Sequence, residues 1–231
     1  MIRLENVSFT YPSRNPPLFQ EFHLDIDEPS WVALTGPEGA GKTTLGKLIH
    51  GMLKPNLGTV SLGTSEALPG SVGYLGGDPY DCLVGVSVEE EIIFGLENLA
   101  LPRTEMAQRL GAALRATGLE GMESRLTHTL SGGEQQKLAL ASMLAMDSRV
   151  LILDEAMTMI DRPTRSAIRG LLRRLASSRS LTVLEITNSL EDSLTADRIL
   201  FLDKGVIRFD GVPAEFARSV AGSEWFSLAP A

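Results

Sequence analysis

The run Gly36-Pro37-Glu38-Gly39-Ala40-Gly41-Lys42-Thr43-Thr44 has the spacing G-x-x-x-x-G-K-[ST], that of a loop built to hold phosphate. Gly36, Gly39 and Gly41 let the backbone fold into a nest whose N–H groups face an anion. The positive end of the following helix would back that nest. Lys42 would reach the β- and γ-phosphates of a nucleoside triphosphate, and the hydroxyl of Thr43, followed by Thr44, would ligate Mg²⁺. The alternative is a glycine-rich turn without a ligand, and the flanks argue against it. Trp31-Val32-Ala33-Leu34 reads as a buried strand before the run, and Leu45, Leu48, Ile49 and Met52 recur at helical spacing after it.

Two further segments carry chemistry. Leu130-Ser131-Gly132-Gly133-Glu134 precedes a helix-period run of Leu138, Leu140, Ala141, Leu144 and Ala145. Ser131 and Glu134 have capping-box spacing, so Ser131, Gly132 and Gly133 open a helix whose bare N-terminus can approach an anion closely. Val150-Leu151-Ile152-Leu153-Asp154-Glu155 is an apolar strand ending in two carboxylates, which call for a compensating cation. Taken singly, the first could be a plain helix cap and the second is common. In this order and spacing, with the phosphate loop, the three resemble the ATP-binding-cassette (ABC) ATPases across essentially the whole chain.

The resemblance implies roles for matching positions. Tyr11 would stack on the adenine ring of ATP, unless it is an ordinary loop aromatic. Asp154 would hold Mg²⁺ through water, and Glu155 would polarise the attacking water. Ser131, Gly132 and Gly133 would meet the γ-phosphate bound to the opposite subunit of a dimer. Asp161 matches the loop that crosses the dimer interface, though it could simply cap the next helix. Val88 to Leu99, Leu101-Pro102-Arg103, and Asp154-Glu155-Ala156-Met157-Thr158-Met159-Ile160-Asp161 look like the energy-coupling-factor subgroup. Those ATPases drive uptake of vitamins and of cobalt or nickel ions in prokaryotes, beneath a transmembrane coupling protein and a substrate-binding membrane protein. The chain is therefore expected at the cytoplasmic face of the cell membrane, as a peripheral subunit.

Two positions depart from the family pattern. Gly77 stands where the family usually has a glutamine that senses Mg²⁺ and contacts the membrane partner, and glycine has no side chain to do either. Asn188 stands where the family usually has histidine; asparagine can hydrogen-bond a phosphate oxygen but cannot carry a proton or a charge. Phosphoryl transfer rests on positioning and electrostatics, so slow hydrolysis is expected at this chain's own site. The intact Leu130–Glu134 segment would still complete a partner's site, which favours a heterodimer with a second ABC ATPase over a homodimer. A non-transport ABC protein and a nucleotide-responsive scaffold with negligible hydrolysis are the competing readings.

The elements that must position these groups follow from periodicity. Ile2–Phe9 reads as a strand, with short strands at Thr59–Leu62 and Ser71–Leu75. Ser87-Val88-Glu89-Glu90 is a capping box that starts a helix, and a second helix is expected from about Thr104 to Thr117. Arg149–Leu153, Leu181–Thr187 and Arg198–Asp203 are strand-like, with helices at about Pro163–Ser177 and Ser189–Ala196. Such alternation predicts an α/β fold with a mostly parallel sheet. With the resemblance it becomes a P-loop NTPase (RecA-like) core, an N-terminal antiparallel β subdomain and a helical signature subdomain at about 86–135. All of these are expected within one domain spanning 1–231.

Composition bounds the rest. The 231 residues carry a net charge of −8, which argues against a general nucleic-acid partner. The opening Met1-Ile2-Arg3-Leu4-Glu5 is too polar for a signal peptide, and no apolar run approaches the ~20 residues that span a bilayer. One cysteine, Cys82, excludes an internal disulfide; its loop is expected to face the membrane partner. His23, His50 and His128 lack zinc-ligand spacing. Arg162, Arg165, Arg169 and Arg173 form a helical stripe that reads as a solvated face rather than a site for acidic lipid or nucleic acid.

Overall fold

A computed structural model describes residues 2–12, 16–27, 29–63, 71–77, 83–158, 160–179 and 181–220. Cys82 and Met159, singled out above, lie outside the described residues. The chain divides into two compact units, one formed by residues up to 66 and from 182 onward, the other by 67–181.

The first unit begins with an antiparallel sheet of β1 (Ile2–Phe9), β2 (Phe19–Ile26) and β4 (Leu57–Leu62), in the order β2-β1-β4. Ile2 and Leu4 are buried on even positions, Val7 and Phe9 on odd ones. The change of phase falls at Asn6, whose φ of 52° marks a bulge where pairing jumps from Leu4↔Leu24 to Val7↔Phe22. An extra residue in one strand flips the side chains beyond it, so the bulge keeps both halves of β1 facing the core.

The same unit holds β3 (Trp31–Thr35) paired in parallel with β7 (Thr182–Ile186) on one side and β8 (Arg198–Asp203) on the other. All five residues of β3 and of β7 are buried, the near-continuous burial expected of a parallel sheet covered on both faces. Buried Glu185 is answered by the indole of Trp31, which donates to its Oε2 at 3.0 Å. An antiparallel strand, β9 (Val206–Gly211), closes the edge beside β8. Among the described residues, α1 (Lys42–His50), α6 (Leu190–Ser193) and α7 (Pro213–Val220) are the helices of this unit.

Two expectations are corrected here. Met52 does not continue the apolar stripe of α1 and is exposed. The helix stops at His50 because Gly51, at φ 91°, adopts the left-handed cap and donates to the carbonyls of Lys47 and Leu48. The helix expected at Ser189–Ala196 is a single turn: Ser189 caps it, but Thr195 and Ala196 close tight turns onto Asp192 and Ser193 as the chain swings into β8.

The second unit contains the parallel pair β5 (Val72–Leu75) and β6 (Val150–Asp154), with α2 (Val88–Glu97), α3 (Arg103–Thr117), α4 (Gly132–Ala145) and α5 (Arg162–Arg179). Val88, Ile92 and Leu96 of α2 interlock with Leu110 and Leu114 of α3 and with Leu138 and Ala141 of α4 in one apolar cluster. Ser87 caps α2, but Glu90 reaches back to the N–H of Val86 rather than that of Ser87. The arginine stripe of α5 is not uniformly solvated: Arg162 and Arg173 are exposed, while Arg165 and Arg169 flank buried Ile168 and Leu172 and are half-buried.

Candidate nucleotide site

In the first unit the phosphate loop leaves the end of β3 and enters α1. Its three glycines take positive φ, 142° at Gly36, 73° at Gly39 and 108° at Gly41. Gly36 admits no side chain on spatial grounds as well, since a Cβ there would stand 2.0 Å from the carbonyl oxygen of Leu202. Gly41 caps α1 with no side-chain hydrogen bond and no acidic residue in the first turn. A helix start with no acceptor of its own is suited to an external anion. Lys42 is buried, and its Nζ donates to the carbonyls of Gly36 (2.6 Å) and Pro37 (2.9 Å), which holds the ammonium inside the loop.

Thr43 is exposed, whereas Thr44 is buried and its Oγ1 lies 3.1 Å from the Tyr11 hydroxyl. The Tyr11 ring meets Phe9 edge-on at 4.9 Å. The aromatic expected to stack on adenine is thus tied to the helix that carries the phosphate loop, a link that no spacing in the sequence announces. Asn188 follows β7, exposed, between buried Thr187 and the helix cap Ser189, whose N–H donates to the Thr187 hydroxyl.

In the second unit Asp154 ends β6 and is buried, and its Oδ2 accepts a 2.5 Å hydrogen bond from the hydroxyl of half-buried Tyr74 on β5. Glu155 is exposed and sits at φ 53°, in the left-handed region; its carbonyl accepts the N–H and hydroxyl of Thr158, closing a turn. Gly77 lies beside this turn. A Cβ there would be 3.6 Å from the Glu155 carbonyl oxygen and 3.8 Å from that of Asp154, ordinary contacts, so the fold does not demand glycine. The Gly77 carbonyl accepts from Nε2 of fully buried Gln136, whose Oε1 has no hydrogen-bond partner. Gln136 is a residue that sequence reasoning missed. Its only advance signal was a polar side chain on the buried face of α4.

The capping box at α4 is complete. Glu134 accepts from the Ser131 N–H (2.7 Å) and hydroxyl (2.9 Å), and its own N–H donates to Ser131 Oγ. The Ser131 N–H is the main cause that holds the Glu134 carboxyl below its ordinary range, with Arg125 adding a smaller pull. Nothing lies within 4 Å of the Cβ positions of Gly132 and Gly133. Asp161 caps α5: its carboxylate accepts the Thr164 N–H at 3.0 Å, which lowers its pKa.

No group of three or more His, Cys, Asp or Glu that could hold a metal gathers among the described residues. Mg²⁺ takes one or two carboxylates together with substrate phosphates, so a single fixed carboxylate such as Asp154 fits it. No helix among the described residues is long and apolar enough to cross a membrane.

The sequence family described as ABC transporter matches residues 19–158. The energy-coupling factor transporter ATP-binding protein EcfA1 of Leuconostoc mesenteroides is 36% identical over 223 residues, covering 93% of this chain and 81% of its own length. EcfA of Syntrophomonas wolfei is 34% identical over 238 aligned positions, covering 100% of this chain and 87% of its own. Among solved structures, cbiO1 of Clostridium perfringens, described as part of the ABC transporter complex cbiONQ, superposes with a TM-score of 0.83. It is 28% identical and covers 95% of this chain and 93% of that one. With the loop, the paired carboxylates and the capped glycine helix in place, this chain belongs to the ABC transporter ATPases.

Proposed function

We propose that this chain is the ATP-binding subunit of an energy-coupling-factor importer for a vitamin or a transition-metal ion. It works as one ABC domain at the cytoplasmic face of the membrane. Its relatives named EcfA1 and EcfA support the transporter class, and cbiO1 is named as part of a transporter complex. In this reading Lys42 and the loop N–H groups neutralise the β- and γ-phosphates of ATP. Thr43 and, through water, Asp154 would hold Mg²⁺, which would screen the phosphate charge. Tyr11 carries the adenine, and Glu155 orients the attacking water. A second ABC ATPase, different from this one, receives Ser131, Gly132 and Gly133 against the γ-phosphate it binds, and Asp161 stands at the shared interface. A transmembrane coupling protein and a substrate-binding membrane protein complete the assembly.

The observation that carries the reading is an intact phosphate loop combined with Gly77 and Asn188, neither of which can carry a charge or transfer a proton. Own-site hydrolysis is therefore slow. By analogy with deleting one preorganised donor, each loss costs on the order of 10²–10³ in rate, without simple additivity. The purified chain is expected to bind ATP and turn it over slowly, and Gly77→Gln with Asn188→His is expected to raise the turnover. Wild-type turnover at a rate normal for ABC transporters would overturn the slow-site reading. Co-purification with membrane proteins, identified by mass spectrometry, tests the transport reading and the heterodimer together.

A further inference from the structure

We infer that Tyr74 is a positioning residue for the metal-holding carboxylate of Asp154. The inference rests on the proposed reading of Asp154 and goes beyond it, because it assigns a role to a strand residue with no place in the phosphate loop, the carboxylate pair or the glycine helix.

The placement follows from the ladder. Strands β5 and β6 run parallel with Tyr74 opposite Ile152 and Leu75 opposite Leu153. Asp154 is thus the first β6 residue beyond the stretch paired with β5. The Tyr74 hydroxyl reaches across and donates to Asp154 Oδ2 at 2.5 Å. A carboxylate tied through one oxygen has lost most of its rotational choice, and the other oxygen is left with a defined direction. Partners of this kind orient the groups that hold a metal, here a carboxylate acting through water, and losing such partners typically lowers metal affinity or activity about 10–100-fold.

The neighbourhood makes this bond matter more here. Gly77, three residues along the same segment, contributes no side-chain donor or acceptor beside the Asp154–Glu155 turn. Gln136 braces only the backbone of Gly77. Among the described residues, the Tyr74 hydroxyl is the side-chain donor that the structure assigns to the Asp154 carboxylate. The ring of Tyr74 meanwhile stays half-buried in the sheet, so removing the hydroxyl alone separates positioning from packing.

The test is Tyr74→Phe in the full chain, read by binding. Nucleotide affinity is measured with excess chelator and again across a Mg²⁺ titration. Bound Mn²⁺ in the nucleotide complex is followed by electron paramagnetic resonance. The expected result is an unchanged affinity for metal-free ATP, a roughly 10-fold higher Mg²⁺ requirement and an altered Mn²⁺ spectrum. Gly77→Gln in the Tyr74→Phe background is expected to recover part of the metal affinity. An unchanged Mg²⁺ requirement and Mn²⁺ spectrum would overturn the inference. So would loss of the folded state in both Tyr74→Phe and Tyr74→Met, which would assign the hydroxyl to stability. Failure of the wild-type chain to bind ATP at all is a different result: it removes the proposed function, and the inference with it.

Discussion

Two helices in this chain begin at glycine-rich segments, and their N-termini are built in opposite ways. Helix α1 starts at Gly41 with no side-chain cap and no acidic residue in its first turn. Helix α4 starts at Ser131 with a complete capping box and Glu134 in its first turn. A bare start leaves backbone N–H groups and the positive end of the helix dipole for an external anion. A capped start answers part of that demand internally, and the carboxylate supplies negative charge of its own. The first is built around a ligand, while the second is stable without one and presents its glycines outward. That difference suits a segment whose phosphate would arrive on another subunit.

The comparison is most severely broken at Lys42. Lys42→Ala removes the buried ammonium from the α1 loop, and ATP affinity is expected to fall by about 2–5 kcal/mol, measured by calorimetry. An unchanged affinity would mean that the bare helix start does not need its lysine. Next comes Gly36→Ala, where a Cβ would meet the Leu202 carbonyl and the φ of 142° disfavours any side chain. A loss of about 1–3 kcal/mol in stability is expected, visible in thermal unfolding.

At α4 the effects are smaller and of another kind. Ser131→Ala removes the cap and is expected to cost about 1 kcal/mol of stability, while ATP affinity at the chain's own loop stays put. A matching fall in ATP affinity would erase the distinction between the two helix starts. The smallest effect is a pH dependence. The Glu134 pKa is depressed in the folded state by Ser131 and Arg125, so its contribution to stability is present above the unfolded pKa. It fades as pH falls through the folded value. Thermal unfolding from pH 6 down to about 3 should show a shallower loss in Glu134→Gln than in the parent.

Much of this was legible because local chemistry and fold agreed. The boundaries of β1 and β8 match the sequence reading, and the α4 capping box forms both of its bonds. The omissions have physical causes. Strand β2, Phe19-Gln20-Glu21-Phe22-His23-Leu24-Asp25-Ile26, alternates cleanly only after Glu21, whose φ of 46° interrupts the period. Strand β9 is half-exposed and polar on one face; its signal was the turn Lys204-Gly205, both at positive φ, which joins it to β8. Helix α7 announces itself only by Pro213 at its first position. The Tyr11–Thr44 and Tyr74–Asp154 bonds join residues 33 and 80 positions apart, a separation that motif spacing does not encode.

The backbone at Glu155 sets protein durability against the proposed role of its side chain. A side chain held at φ 53° is under steric strain that glycine would not feel, roughly 1 kcal/mol for one residue. Glu155→Gly would therefore remove the residue proposed to orient water and at the same time relax the turn. An inactive chain that unfolds at a higher temperature than its parent is the expected signature. In a population selected only for folded protein, glutamate would hold no advantage over glycine at this position.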